Sequence, residues 1–136
     1  MKATPLYRFV AIVFVLFAVG HTFGFLNFKA PTPEGRAVFD SMNAVQIPVR
    51  GDVYTYGNFY RGFGLIISIN MVFSAILAWW LGQVARTQTK ILIPIAWAFA
   101  ATQVVGVLLS VEYFSVLPAL FSVTTAAGLV WAACLL

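Results

Sequence analysis

The chain has 136 residues, of which 62% are hydrophobic and 9% charged, with a mean hydropathy of +0.94. A water-soluble domain of this size carries about a quarter charged residues. Eight cations and four acids therefore exclude an ordinary soluble enzyme, a disordered chain and a nucleic-acid binder. The excess of cations is an orientation signal for a membrane protein. The length fits one domain, and the single cysteine, Cys134, excludes an intramolecular disulfide and a multi-cysteine metal site.

A helix needs about 20 apolar residues to cross ~30 Å of hydrocarbon, and four stretches meet that length. All four must be helical, because lipid offers free backbone groups no partners. The first runs over about 7–28, around the core AIVFVLFAVG. Lys2 and Arg8 precede this core as they would in a signal peptide, but the sequence continues as HTFGFLNFKAP without a small-x-small cleavage site. The stretch is read as a retained span.

A long loop over 29–58 follows. Thr32, Pro33 and Glu34 supply an N-cap, a proline at the first helical position and an acid in the first turn. Val38, Met42 and Val45 recur at helical spacing, with Arg36, Asp40 and Asn43 on the other side. This predicts an amphipathic helix over about 33–46 on the membrane surface, ended by Pro48, with a turn at Arg50-Gly51-Asp52. The second span covers about 59–82. A short polar turn from Gln83 to Thr89 leads into the third, about 90–111. Glu112 to Phe114 makes a tighter turn into the fourth, about 115–136, where Pro118 is tolerated in the first turn. The expected fold is all-α: a four-transmembrane-helix bundle with a short surface helix between spans 1 and 2, forming a single membrane domain over 1–136.

Lys2, Arg8, Arg86 and Lys90 fall on one side of the membrane with no acid among them. Lys29, Arg36, Arg50 and Arg61 fall on the other, with Glu34, Asp40, Asp52 and Glu112. The cation count is tied, but the unopposed cations flank the spans more closely, which places both termini in the cytoplasm. Tyr54, Tyr56, Tyr60 and Tyr113 gather at the outer boundary, and Trp79, Trp80 and Trp131 toward the inner one, as interfacial belts do.

Polar side chains inside spans are costly and face protein or a water-filled cavity. His21 lies about two turns below the outer end of the first span, Asn70 near the middle of the second and Gln103 just outside the middle of the third. Arg61 and Glu112 sit at outer ends, with Asn58 and Tyr60 near Arg61. Gln103 shares a helical face with Ala96, Ala100, Gly106 and Ser110, a stripe suited to close helix contact. Arg61 shares one with Gly64 and Ser68, nearly opposite Asn70. His21 and Glu112 are the candidates for proton transfer; Asn58, Tyr60, Arg61, Asn70 and Gln103 are the candidates for ligand contact.

Each has a structural reading as well. The amides serve as interhelical clamps worth about 0.5–2 kcal/mol, Arg61 as a snorkelling cation, Glu112 as a solvated cap and His21 as a hydrogen-bonded interior residue. By depth, the partner expected for His21 is Asn58, Arg61, Gln103 or Glu112. One histidine excludes bis-histidine haem ligation, and no HExxH, GxSxG or GxxxxGK pattern is present. No cofactor and no metal are predicted.

Two stretches, Gly20-His21-Thr22-Phe23-Gly24 and Phe59-Tyr60-Arg61-Gly62-Phe63-Gly64-Leu65, with a span ending Trp79-Trp80-Leu81-Gly82, resemble a group of small bacterial inner-membrane proteins. The resemblance implies a four-helix membrane fold and no particular activity. More loosely, the helix count and early-span histidine are similar to those of sterol-isomerase-like membrane proteins, which enclose a lipophilic ligand between helices. No motif is shared, and the deep paired carboxylates of such an isomerase are missing here.

Three functions follow as expectations. The first is a pocket for a lipid or lipophilic small molecule in the outer half, with proton transfer at His21. The second is a non-catalytic accessory or scaffold subunit bound to other membrane subunits or to a second copy. The third, an oligomeric channel or transporter, needs a continuous polar path that the apolar inner half does not offer. Nucleic acid is not an expected partner.

Overall fold

The computed structural model describes residues 3–87 and 89–136. Lys2, one of the orienting cations, and Gln88 of the predicted polar turn lie outside the described residues. The elements are α1 (Ala3–Leu26), α2 (Pro33–Ala44), β1 (Gln46–Val49), β2 (Asp52–Thr55), α3 (Tyr56–Val84), α4 (Thr89–Tyr113) and α5 (Val116–Cys134). Of the described residues 82% are helical, and α1, α3, α4 and α5 are long and apolar enough to cross a membrane. The all-α expectation holds.

Helix bounds differ from the expected spans in both directions: α5 is shorter than 115–136 and α1 ends at Leu26 instead of about 28, while other ends extend. α1 begins at Ala3 instead of about 7, and α3 runs from Tyr56 to Val84 instead of about 59–82. Hydropathy marks where hydrocarbon is, whereas helical hydrogen bonding continues through the interface until a cap or turn ends it. At the start of α3 that cap is specific. Thr55 Oγ1 accepts from the Asn58 amide at 3.1 Å, while Asn58 Oδ1 accepts from the Thr55 amide at 2.8 Å. This is a reciprocal capping box.

α2 forms as expected. Thr32 Oγ1 accepts from the Gly35 amide at 3.1 Å, with Pro33 in the first turn. It stops at Ala44, because Val45 is already extended (φ −73°, ψ 116°).

The sequence reading misses what comes next. Residues 46–55 form an antiparallel hairpin in the register Gln46↔Thr55, Ile47↔Tyr54, Pro48↔Val53 and Val49↔Asp52. Arg50 (φ 51°) and Gly51 (φ 95°) both have positive φ, the signature of a type I′ two-residue turn. In this register Val49 and Asp52 close the hairpin as a hydrogen-bonded pair, so Pro48 falls in a non-hydrogen-bonded pair where no amide is needed. A proline read as a helix stop thus also suits a strand.

The chain forms two compact units, Met1–Ala18 with Met71–Leu136, and Val19–Asn70. In the first, α1 contributes Tyr7, Val10 and Phe14, α3 Ala78 and Leu81, α4 Leu92, Ala96 and Ala100, and α5 Leu129 and Ala132, all buried. Phe14 stacks on Phe99 at 6.0 Å, and Phe17 on Phe121 at 4.8 Å. Ser110 and Ser122 share a buried 2.8 Å hydrogen bond between α4 and α5. Lipid tails are as apolar as these side chains, so the core is held by close van der Waals fit and not by transfer from water. Large apolar residues such as Leu108, Val111 and Trp131 are exposed, as a lipid-facing surface requires.

Candidate functional site

The second unit brings together the end of α1, the loop elements and the start of α3. Its polar centre is His21. The His21 Nδ1 lies 3.1 Å from Ser68 Oγ, and Thr22 Oγ1 donates to the same oxygen at 2.8 Å. Ser68, 8% exposed, also reaches the Gly64 carbonyl at 3.4 Å. Its single proton goes either to His21 Nδ1 or to that carbonyl, so the tautomer of the ring and the orientation of the hydroxyl are fixed together. His21 Nε2 has no hydrogen-bond partner among the described residues.

The partner of His21 is therefore Ser68, and not one of the four residues expected from depth. Ser68 sits on the α3 face that also carries Gly64 and Arg61, which the helical phase predicts. A serine adds so little to the hydropathy pattern that it does not stand out as a partner. Thr22 escapes notice for the same reason, although it is the central residue of the GHTFG stretch.

Aromatic rings continue from the imidazole. His21 stacks on Phe25 at 5.8 Å with 5° between the planes. Phe25 meets Tyr60 at 5.2 Å, Tyr60 meets Phe39 edge-on at 5.7 Å, and Phe39 meets Phe28 at 5.7 Å. Gly64 makes this possible, because a Cβ there would fall within the Phe25 ring. The start of α3 thus packs within the unit through Tyr60.

Against α2 lies an apolar groove of about 350 Å³, lined by Ala37, Val38, Ser41, Met42, Val45 and Tyr56. Its one side-chain hydroxyl from α2 is satisfied internally, since Ser41 Oγ donates to the Ala37 carbonyl at 2.8 Å. The three residues that define the apolar stripe in the sequence, Val38, Met42 and Val45, all line it.

The remaining candidates are placed as follows. Tyr60 belongs to the aromatic chain. Asn58 is exposed and has its oxygen committed to the α3 cap. Arg61 is exposed. Asn70 is exposed and donates to the Ile66 carbonyl of its own helix at 2.9 Å. Gln103 is half-buried and Glu112 exposed, both in the first unit. The structure thus gathers His21 and Tyr60 in one neighbourhood, linked through Phe25, and adds Ser68 and Thr22. Among the described residues no three His, Cys, Asp or Glu side chains are placed to hold a metal ion.

Four helices of this length and apolarity are compatible with a multi-pass membrane protein. No family model, curated protein or solved structure matches the chain.

Proposed function

We propose that this chain binds a lipid or other lipophilic amphiphile in the Val19–Asn70 unit. The observation that carries the reading is the apolar groove against α2, which has no unsatisfied side-chain hydroxyl from that helix to disfavour an acyl chain. The aromatic chain from Phe39 through Tyr60 and Phe25 continues to His21, whose Nε2 is available to a polar group of the ligand. A binding role fits better than proton transfer, because no carboxylate is bonded to His21 among the described residues.

Native mass spectrometry in detergent tests this, since it reports stoichiometry and retained lipid together. The wild type is expected to carry a lipophilic adduct, and Val38→Glu or Met42→Glu to lose most of it by placing a charge in the groove. An adduct-free wild type, or equal retention in the variants, contradicts the reading.

One observation favours a second reading, an accessory subunit or self-associating chain. Gly20 and Gly24 are exposed at the four-residue spacing that lets helix backbones approach closely, and open space lies where a Cβ would stand at each. The same spectra distinguish the readings, because this one gives a dimer or a protein partner without a lipid adduct.

We further infer that both termini are cytoplasmic and that α2 and the hairpin lie outside. The unopposed Arg8, Arg86 and Lys90 motivate this. In a Cys134→Ser background, a membrane-impermeant thiol reagent is expected to label Ser41→Cys and not Thr87→Cys in intact cells. The reverse pattern contradicts the orientation.

A further inference from the structure

In the Met1–Ala18 with Met71–Leu136 unit, the start of α1 and the α3–α4 turn border a half-open cavity of about 440 Å³ lined by Thr4, Pro5, Arg8 and Arg86. Of the lining groups, Thr4 Oγ1 and Arg8 Nε are buried without a hydrogen-bond partner among the described residues, and so is Tyr7 Oη, outside the lining. Thr4 is 4% exposed and Tyr7 fully buried. Native proteins leave few such groups unmet. Donors buried around a cavity with two guanidinium groups describe a site whose occupant brings the acceptors.

The chemistry of that occupant follows from the donors. Two arginines and a hydroxyl favour an anion with several oxygens. The Arg8 guanidinium carbon lies 5.3 Å from the Trp79 ring centre. The ring holds one face of the guanidinium by cation–π attraction and leaves its edge free for planar hydrogen bonding to phosphate. Neither arginine forms an ion pair among the described residues, so no carboxylate of the chain competes. Trp79 and Trp80 are about half exposed and mark the depth at which headgroups lie.

We propose that this cavity binds the phosphate of an anionic phospholipid headgroup. The site is independent of the groove against α2 and does not rest on the function proposed above. It lies in the Met1–Ala18 with Met71–Leu136 unit.

The test uses the full chain in nanodiscs of phosphatidylglycerol and phosphatidylcholine in equal parts, with lipids retained on release counted by native mass spectrometry. The wild type is expected to retain phosphatidylglycerol preferentially. Arg86→Gln, an exposed turn position, and Arg8→Gln should each lower that preference about tenfold, the usual scale for losing one charge-assisted hydrogen bond. Thr4→Val should also lower it. Because the Thr4 hydroxyl has no partner among the described residues, this variant should unfold no earlier than the wild type in uncharged detergent, which separates binding from folding. Lys90→Gln removes an equal charge at an exposed position near the turn and should leave the preference intact. Equal retention of both lipids by the wild type, or equal losses in Lys90→Gln and Arg86→Gln, overturns the proposal. Displacement of the lipid by millimolar inorganic phosphate reassigns the site to free phosphate and overturns the lipid source.

Discussion

Gly128→Leu is expected to destabilise the helix packing more than any single substitution on the lipid-facing surface. Gly128 is buried in α5, and a Cβ added there would collide with a methyl group of Val10, which is itself fully buried in α1. The helices meet backbone to side chain at this point, as small residues in membrane helices permit. Val10 and Phe14, one turn further along the same helix, belong to the same buried cluster. A leucine must therefore part α1 from α5. Overpacking of this kind costs about 1–3 kcal/mol or more. By contrast, Leu108→Ala, at a position 66% exposed, should change stability by about 0.5 kcal/mol or less. Thermal unfolding in detergent, followed by circular dichroism, checks both. Equal midpoints for the two variants contradict the core assignment.

The second large effect is expected at Ser68, and it is asymmetric. Ser68→Ala removes the hydrogen bonds to His21 Nδ1 and from the Thr22 hydroxyl at once. Each is worth about 0.5–1.5 kcal/mol, so the loss is about twice that of one bond. His21→Phe removes less. Thr22 still donates to Ser68, Ser68 keeps the Gly64 carbonyl, and the new ring keeps the stack on Phe25. Its cost should be about 0.5–1.5 kcal/mol, that of one ordinary hydrogen bond. The binding readout is expected to run the other way. His21→Phe should lose retained ligand, because it removes Nε2, while Ser68→Ala leaves that nitrogen in place. If His21→Phe matches the wild type in stability and in lipid retention, His21 has no functional role.

The parts of this fold that lipid dictates are legible in the sequence. Four apolar runs become four helices because a spanning backbone has no other way to satisfy its hydrogen bonds. α2 is legible through Thr32, Pro33 and the recurrence of Val38, Met42 and Val45, since its cap and its period are both local signals. The hairpin is harder to see. Its strands are four residues each, too short to show alternation, and Pro48 argues against a strand unless the register is known. The capping box of α3 is written as Thr55-x-x-Asn58, yet Asn58 attracts attention first as a polar residue near a span.

The site is only half legible for a related reason. Depth along a span can be counted from sequence, so His21 stands out. Which helix faces it, and through which small hydroxyl, depends on the approach of α1 and α3 that Gly64 allows at Phe25. The cavity at Arg8 and Arg86 is similar. In sequence these are orienting charges seventy-eight positions apart (86 minus 8), and only the fold shows that they line one space with a buried threonine.

A lipid-binding groove against α2 should hold lipid in preference to the general apolar surface. Photo-crosslinking with a phospholipid carrying a diazirine in its acyl chain, in vesicles and followed by peptide mapping, tests it most directly. The account predicts adducts concentrated on Ala37, Val38, Met42, Val45 and Tyr56, reduced by Met42→Glu. Adducts spread evenly over exposed residues of α3, α4 and α5, such as Ile69, Leu108 and Val116, with no excess at the groove, would contradict it.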